Sequence, residues 1–285
     1  MSRAVEIACD ESGYEGERLI GSTTEVFAHA SVRLPVDEAR RCFTELRERI
    51  RSPATEYKAG HILREKHRKA LEWTLGPSSP LYGRARVYLV DKAYFVLDAL
   101  ARALLDEPGD VAAELYRLRV PYLAAANDFL RGRPVDGFLD ALPPPLRKGV
   151  FRRSTVDPLV PAIVAAVRHW GGPSRERVTV VHDRTNTLSP ALVARIEARL
   201  GGQLAGLRLA DSTLDPRVQA ADLIAGAARK LATDELHGRA DERMTALLRP
   251  YLEPTSVWGD EASWSRLTGQ GSRPADEQPA GSNAV

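Results

Sequence analysis

Glu6-Ile7-Ala8-Cys9-Asp10-Glu11-Ser12-Gly13 runs a strand-like apolar stretch straight into two adjacent carboxylates and a Ser-Gly turn. In α/β sheets ligands bind in the crevice beyond the strand ends, so acids at that point are placed to hold a divalent cation. The design returns at Arg177-Val178-Thr179-Val180-Val181-His182-Asp183, a β-branched run that again ends in a carboxylate. If the two strands are neighbours, Asp10 and Asp183 lie within a few ångströms of each other.

Outward from these strands the chain alternates strand and helix patterns, which makes it α/β. Residues 25–32 and 84–91 read as further strands, and Tyr14-Glu15-Gly16-Glu17 reads as the turn that sends the first strand back. Pro35 ends the second strand and leaves Asp37 to cap a helix to Arg51, with Ala39, Phe43, Leu46 and Ile50 on one apolar face. A charged helix is expected over 62–75, stopped by Gly76-Pro77. Residues 93–170 differ in kind, rich in Ala and Leu, with helical patterns at 94–105, 111–130 and 157–170; they read as a helical insertion between strands. Ser189-Pro190 opens a helix to Leu200, and residues 204–209 form a short edge strand. One domain over 1–268 is expected, followed by a tail from 269 to 285 of Gly, Ser, Pro and Gln that lacks apolar periodicity and reads as disordered.

A third carboxylate stands out in Val218-Gln219-Ala220-Ala221-Asp222-Leu223-Ile224-Ala225-Gly226. Its small neighbours let a helix backbone approach a sheet closely, and a buried carboxylate among Ala and Leu needs a partner. Several carboxylates in one poorly hydrated cleft raise each other's pKa, and a divalent cation is the usual remedy. Mg²⁺, or Mn²⁺ in its place, prefers oxygen donors; such ions stabilise the attacking and leaving oxygens of a phosphoryl displacement. Asp10, Asp183 and Asp222 are the candidate metal ligands on this reasoning.

The opening Asp10-Glu11-Ser12-Gly13, the strand end Val181-His182-Asp183, and Ser212 with the Val218–Gly226 segment resemble, in that order, the domain-of-unknown-function 3800 family, a branch of the RNase H-like superfamily. The resemblance spans roughly residues 5–230, and the late motif is its most specific part. It implies an RNase H-like mixed sheet with flanking helices and a helical insertion, and an acidic Mg²⁺-type site at Asp10, Asp183 and Asp222. The superfamily adds a glutamate to its aspartates, and Glu11 and Glu56 are the two candidates. Neighbours in a strand point to opposite faces, so Asp10 and Glu11 share a metal only if the strand has already turned, and Glu56 competes for the place. The implied activity is a metal-dependent nuclease or phosphodiesterase acting on RNA or DNA. Hydrolysis of a small phosphorylated metabolite and a non-catalytic binding module are the alternatives.

Other residues are ambiguous. Asp10 before Ser-Gly, and Asp183 before Arg184-Thr185-Asn186, also suit turns. Asp222 has Arg217 and Arg229 within reach as salt-bridge partners. Gln219, one turn earlier, either orients Asp222 or serves as a structural hydrogen-bonder. Lys58 suits a scissile phosphate or a solvated surface, and Asn186 is a candidate substrate contact. His61 and His67 are not spaced as a zinc pair, and His182 reads as packed behind Asp183.

Forty Lys and Arg against 38 Asp and Glu leave a formal charge of +2, too small for a bulk field to attract nucleic acid. Two local clusters remain, Arg64, Lys66, Arg68 and Lys69, and Arg147-Lys148 with Arg152-Arg153. With Cys9 and Cys42 the only cysteines, no disulfide framework or thiolate metal site is suggested, and a reducing cytoplasm is the expected compartment. No apolar run reaches the length of a signal peptide or membrane span, so no membrane partner is expected.

Overall fold

A computed structural model describes residues 4–51, 59–118, 121–147, 149, 151, 156–184 and 188–270. Glu56, Lys58, Asn186, Lys148, Arg152, Arg153 and the tail from 271 lie outside the described residues.

The fold is α/β, organised on a five-stranded mixed sheet. In chain order its elements are β1 (Val5–Ser12), β2 (Val26–Val32), α1 (Val36–Ile50), α2 (Ala59–Ile62), α3 (Arg68–Leu75), β3 (Ala85–Asp91), α4 (Lys92–Leu104), α5 (Val111–Arg117), α6 (Leu123–Leu130), α7 (Phe138–Ala141), α8 (Pro144–Arg147), α9 (Leu159–Gly171), β4 (Val178–Asp183), α10 (Pro190–Leu200), β5 (Leu204–Ala210), α11 (Pro216–Leu236), α12 (Glu242–Leu248) and α13 (Glu261–Thr268). The strand order is β3-β2-β1-β4-β5. β1, at the centre, pairs antiparallel with β2 and parallel with β4. Covered on both faces, β1 and β2 are buried along most of their length rather than at alternate residues.

Register decides what the sheet presents at its end. Ile7 pairs with Val180 and Cys9 with His182, so one step further both strands reach their carboxylates, Asp10 and Asp183, side by side. β5 is an edge strand, as its position in the order requires. The other edge, β3, is covered by the C-terminal segment: Val87 and Val90 form parallel bridges with Leu252 and Val257. That cover leaves β3 unavailable for pairing with another chain.

One face of the sheet packs Val26, Ala28 and Ala30 against α1, α3 and the Ala220, Ala221, Ile224 and Ala228 side of α11. The other packs Ile7, Cys9, Phe27 and Val180 against Val160, Ile163 and Val167 of α9 and Ile196 of α10. A separate cluster around Leu97, Leu100, Leu130, Phe138 and Leu142 joins α4 to α6 and α7. The expected insertion between β3 and β4 is therefore real, but α9 at its end is a sheet-covering helix. Its apolar stripe, Leu159 to Val167, has the sheet as its partner.

Three local readings change. The helix expected over 111–130 is two, α5 and α6, with Pro121 between them removing an amide donor. The stretch 62–75 is likewise broken into the end of α2, a 3₁₀ turn Glu65–His67, and α3. Asp37 does not cap α1; Pro35 occupies that position, and Asp37 and Glu38 instead sit in the first turn, where they oppose the helix dipole. α12 and α13 were not anticipated; each starts on an aspartate cap, Asp241 accepting from Met244 N–H and Asp260 from Ser263 N–H.

The small residues of α11 do let it come close. A Cβ placed on Gly226 would lie 2.1 Å from the Ala59 Cβ and 3.9 Å from Ser12 Oγ. Alanine there would gain about 1 kcal/mol of helix propensity. The overlap outweighs it, and Gly226→Ala is expected to lose about 1–2 kcal/mol net in urea unfolding. A more stable variant would show that α2 and α11 are not held at this separation.

Candidate functional site

At the carboxyl ends of β1 and β4 the sheet presents an acidic corner. Asp10 is 7% exposed, and its Oδ1 accepts from the Glu11 backbone N–H at 2.7 Å. Asp183 Oδ1 accepts from Ser212 N–H at 3.2 Å, which ties the end of β4 to the loop before α11. Asp215 caps that helix, with Arg217 N–H donating to its Oδ1 at 3.0 Å, so Asp222 lies two turns into α11 on the Asp10 side of the sheet.

The electrostatics bind these sequence-distant acids into one group. Burial, then the charges of Glu11, Asp222 and Asp183, push the Asp10 acid up to about 9. Burial and the charge of Asp183 push Glu11 up to about 7, partly offset by a hydrogen bond between the Glu11 and Asp10 carboxyls. Near neutral pH that pair shares a proton rather than carrying two full charges.

The Asp10–Glu11 contact departs from simple strand alternation. Glu11 stands opposite His29 on β2, and its Oε2 points to His182 on β4. The long glutamate side chain at the open end of β1 nonetheless brings its carboxyl back to Asp10.

Behind Glu11 sits a fully buried imidazole. His182 Nδ1 lies 3.1 Å from the Asp183 carbonyl oxygen. A carbonyl only accepts, so Nδ1 carries the proton and Nε2 is left as an acceptor. Burial holds this ring neutral, its pKa down to about 4. Nε2 faces Glu11 Oε2 at 3.5 Å, and neither atom has a hydrogen-bond partner among the described residues. His29 stacks on His182 with ring centroids 5.4 Å apart, is pushed to the neutral form by burial, and has no hydrogen-bond partner for either ring nitrogen among the described residues.

A fifth acid adds to the field and was missed in the sequence. Asp157 accepts from Tyr14 O–H at 2.8 Å and from Leu159 N–H at 3.0 Å, is raised by burial, and contributes to the rise of Glu11. Its place before Pro158 and an apolar helix reads as the start of α9, and that signal conceals the second role.

The remaining candidates are resolved in part. Arg217 is occupied by Glu6 at 2.6 Å and Asp215 at 2.7 Å. Arg229 Nε donates to Ser12 Oγ at 2.8 Å. Gln219 is part-exposed on α11, one turn before Asp222. His61 and His67 stack on each other at 4.8 Å. Of the basic clusters, Arg68 pairs with Asp241 and Glu72, and Arg147 Nε donates to the Leu142 carbonyl. Both cysteines are free and buried; burial raises the Cys9 thiol, and burial with Glu45 nearby takes Cys42 up to about 12, so neither is a ready thiolate.

Whether the corner fits a cation turns on donor chemistry. An all-oxygen set of desolvated, mutually repelling carboxylates, with Glu11 Oε2 buried and lacking a hydrogen-bond partner among the described residues, suits a hard divalent ion. Among the described residues no three His, Cys, Asp or Glu side chains already converge to hold one, so the carboxylates must turn toward a shared point. No described helix is long and apolar enough to cross a membrane. No family model matches the chain, and neither a curated protein nor a solved structure matches it.

Proposed function

We propose that this chain is an RNase H-like, divalent-metal-dependent nuclease or related phosphodiesterase of the domain-of-unknown-function 3800 type. The observation that carries the reading is the Asp10 acid, held up to about 9 by burial and by three other carboxylates, Glu11, Asp222 and Asp183. Like charges gathered in a desolvated corner destabilise the empty protein, and a cation is the counter-charge that reverses the sign. The mixed sheet, with its acids at adjoining strand ends, is what the resemblance implies.

Asp10, Asp183 and Asp222 would hold Mg²⁺ or Mn²⁺, with Glu11 or Glu56 as the fourth carboxylate. Bound there, the ion would supply charge stabilisation to the oxygens of a phosphodiester displacement. The protein's own part is positioning. The Glu11 N–H fixes one Asp10 oxygen, and the Ser212 N–H fixes one Asp183 oxygen. Neutral His182 packs behind Glu11 with the unprotonated Nε2 toward it, an acceptor that a protonated Glu11 can face without giving up its proton. Nucleic acid is the substrate in this reading, and the two free cysteines fit a reducing cytoplasm.

Calorimetric titration of Mg²⁺ and Mn²⁺ into wild type and Asp10→Ala, beside cleavage of labelled RNA, DNA and hybrid, tests the reading. Metal binding and cleavage that both vanish in the variant are expected. Wild type that binds no more metal than Asp10→Ala would remove the site, and metal binding without cleavage would favour a binding module.

A further inference from the structure

Next to the acidic corner, and opposite to it in sign, lies a cluster the foregoing does not use. Lys92, the first residue of α4, is 1% exposed, and its Nζ donates to Ser22 Oγ at 2.9 Å and Thr24 Oγ1 at 2.8 Å. Arg229 on α11 donates from Nε to Ser12 Oγ at 2.8 Å. Between the two groups runs Gly13, at φ +79°. A Cβ there would come within 2.7 Å of Arg229 Cδ, 2.9 Å of Thr24 Oγ1 and 2.5 Å of the Val26 carbonyl oxygen. Only glycine permits this approach, and it brings the hydroxyls and both cations to one place.

Neither cation forms an ion pair with any described residue. Burial takes Lys92 down to about 8, with Arg229 among the charges pushing it the same way, and burial lowers Arg229 as well. The acid that Lys92 does feel is Glu15, which is exposed and accepts from Thr23 N–H and Oγ1 at 3.0 Å. A buried ammonium beside a half-buried guanidinium, with no carboxylate paired to either among the described residues, favours an anion as the missing counter-charge. Ser12, Ser22, Thr24 and Arg229 are all part-exposed, so the cluster opens to solvent through Arg229 while Lys92 backs it from inside.

We propose that Arg229, Ser12 and Lys92, the last held by Thr24, form a subsite for a phosphate group, distinct from the phosphate that the acids would act on. The guanidinium fork, the Ser12 hydroxyl and the buried ammonium suit a tetrahedral, multiply charged anion, which accepts from several directions at once. Arg229 stands seven residues beyond Asp222 on the same helix, two turns or about 10 Å along its axis. A substrate that fills this subsite and also meets the acids carries one phosphate for each place. The assignment to substrate rests on the nuclease reading; the anion site itself does not.

Binding to the metal-free full chain separates the two. Inorganic phosphate and an unphosphorylated dinucleotide with a single internal diester are titrated by calorimetry into wild type, Arg229→Gln and Lys92→Met. Arg229→Gln is expected to weaken binding at least tenfold while leaving the Mg²⁺ titration as in wild type. Binding of the dinucleotide identifies a polymer backbone as the source; binding of inorganic phosphate alone identifies a terminal phosphate. The subsite is overturned if wild type binds neither, or if Arg229→Gln binds both as wild type does. Should Lys92→Met fail to fold, Arg229→Gln decides alone.

Discussion

Asp10→Asn is expected to stabilise the metal-free protein at pH 8 while removing its metal binding and cleavage. Asparagine keeps the Oδ1 that accepts from Glu11 N–H at 2.7 Å, and its new Nδ2–H can donate to the Glu11 carboxylate where two acids now share a proton. The substitution also removes a group that burial, Glu11, Asp222 and Asp183 together hold up to about 9. A gain of about 2 kcal/mol in unfolding free energy, roughly 4 °C in midpoint for a chain of this size, is the expected result. Metal affinity should fall more than about tenfold, because a carboxylate ligand is lost from a hard-cation site. Stability gained as function is lost marks strain kept for activity. If Asp10 were only a turn former, Asp10→Asn would leave stability at pH 8 unchanged or reduce it, and thermal melts at matched ionic strength distinguish these outcomes.

The residues behind that prediction were legible to different degrees, for physical reasons. Asp10 and Asp183 could be read because an apolar run ending in a carboxylate is a local pattern, and the parallel pairing of β1 with β4 is what makes them neighbours. Asp222 could be read because a charge among Ala, Leu and Ile needs a reason to be there. The Glu11 contact could not be read, since strand alternation fixes where a backbone points and not where a long side chain ends at an open strand terminus. His29 and Lys92 carried no signal of their own, and Arg229 was legible only as a salt-bridge candidate for Asp222. His29 matters because β2 sets it opposite Glu11, and the two cations matter because Gly13 lets α11 and the Thr24 segment close on each other. The breaks inside 62–75 and 111–130 were hidden because apolar spacing continues across a turn when both halves cover the same core.

The acid group also sets how stability varies with pH when no divalent ion is present. Asp10 and Glu11 have folded values raised to about 9 and about 7, against ordinary values of 3.8 and 4.5. The folded state therefore holds protons that the unfolded chain has released, and stability falls as pH rises through that interval. His182, lowered from 6.5 to about 4, acts oppositely, but its contribution is complete above pH 6.5. Lys92, lowered from 10.5 to about 8, also favours higher pH, and only from about pH 8 upward. Between pH 6.5 and 8 the acids act alone among these groups, and metal-free stability is expected to fall by about 1–2 kcal/mol, near one proton's worth per pH unit. Mg²⁺ should cancel the fall, since it binds the deprotonated carboxylates, and saturating ion at a hundred times its Kd contributes about 2.7 kcal/mol. At pH 5, where Asp10 and Glu11 keep their protons, the same Mg²⁺ should add little. Urea unfolding at pH 5, 6.5 and 8, with and without Mg²⁺, tests both halves. Metal-free stability that climbs from pH 6.5 to 8 would mean these carboxylates are already compensated within the protein, and an equal Mg²⁺ effect at pH 5 and 8 would place the ion somewhere other than this corner.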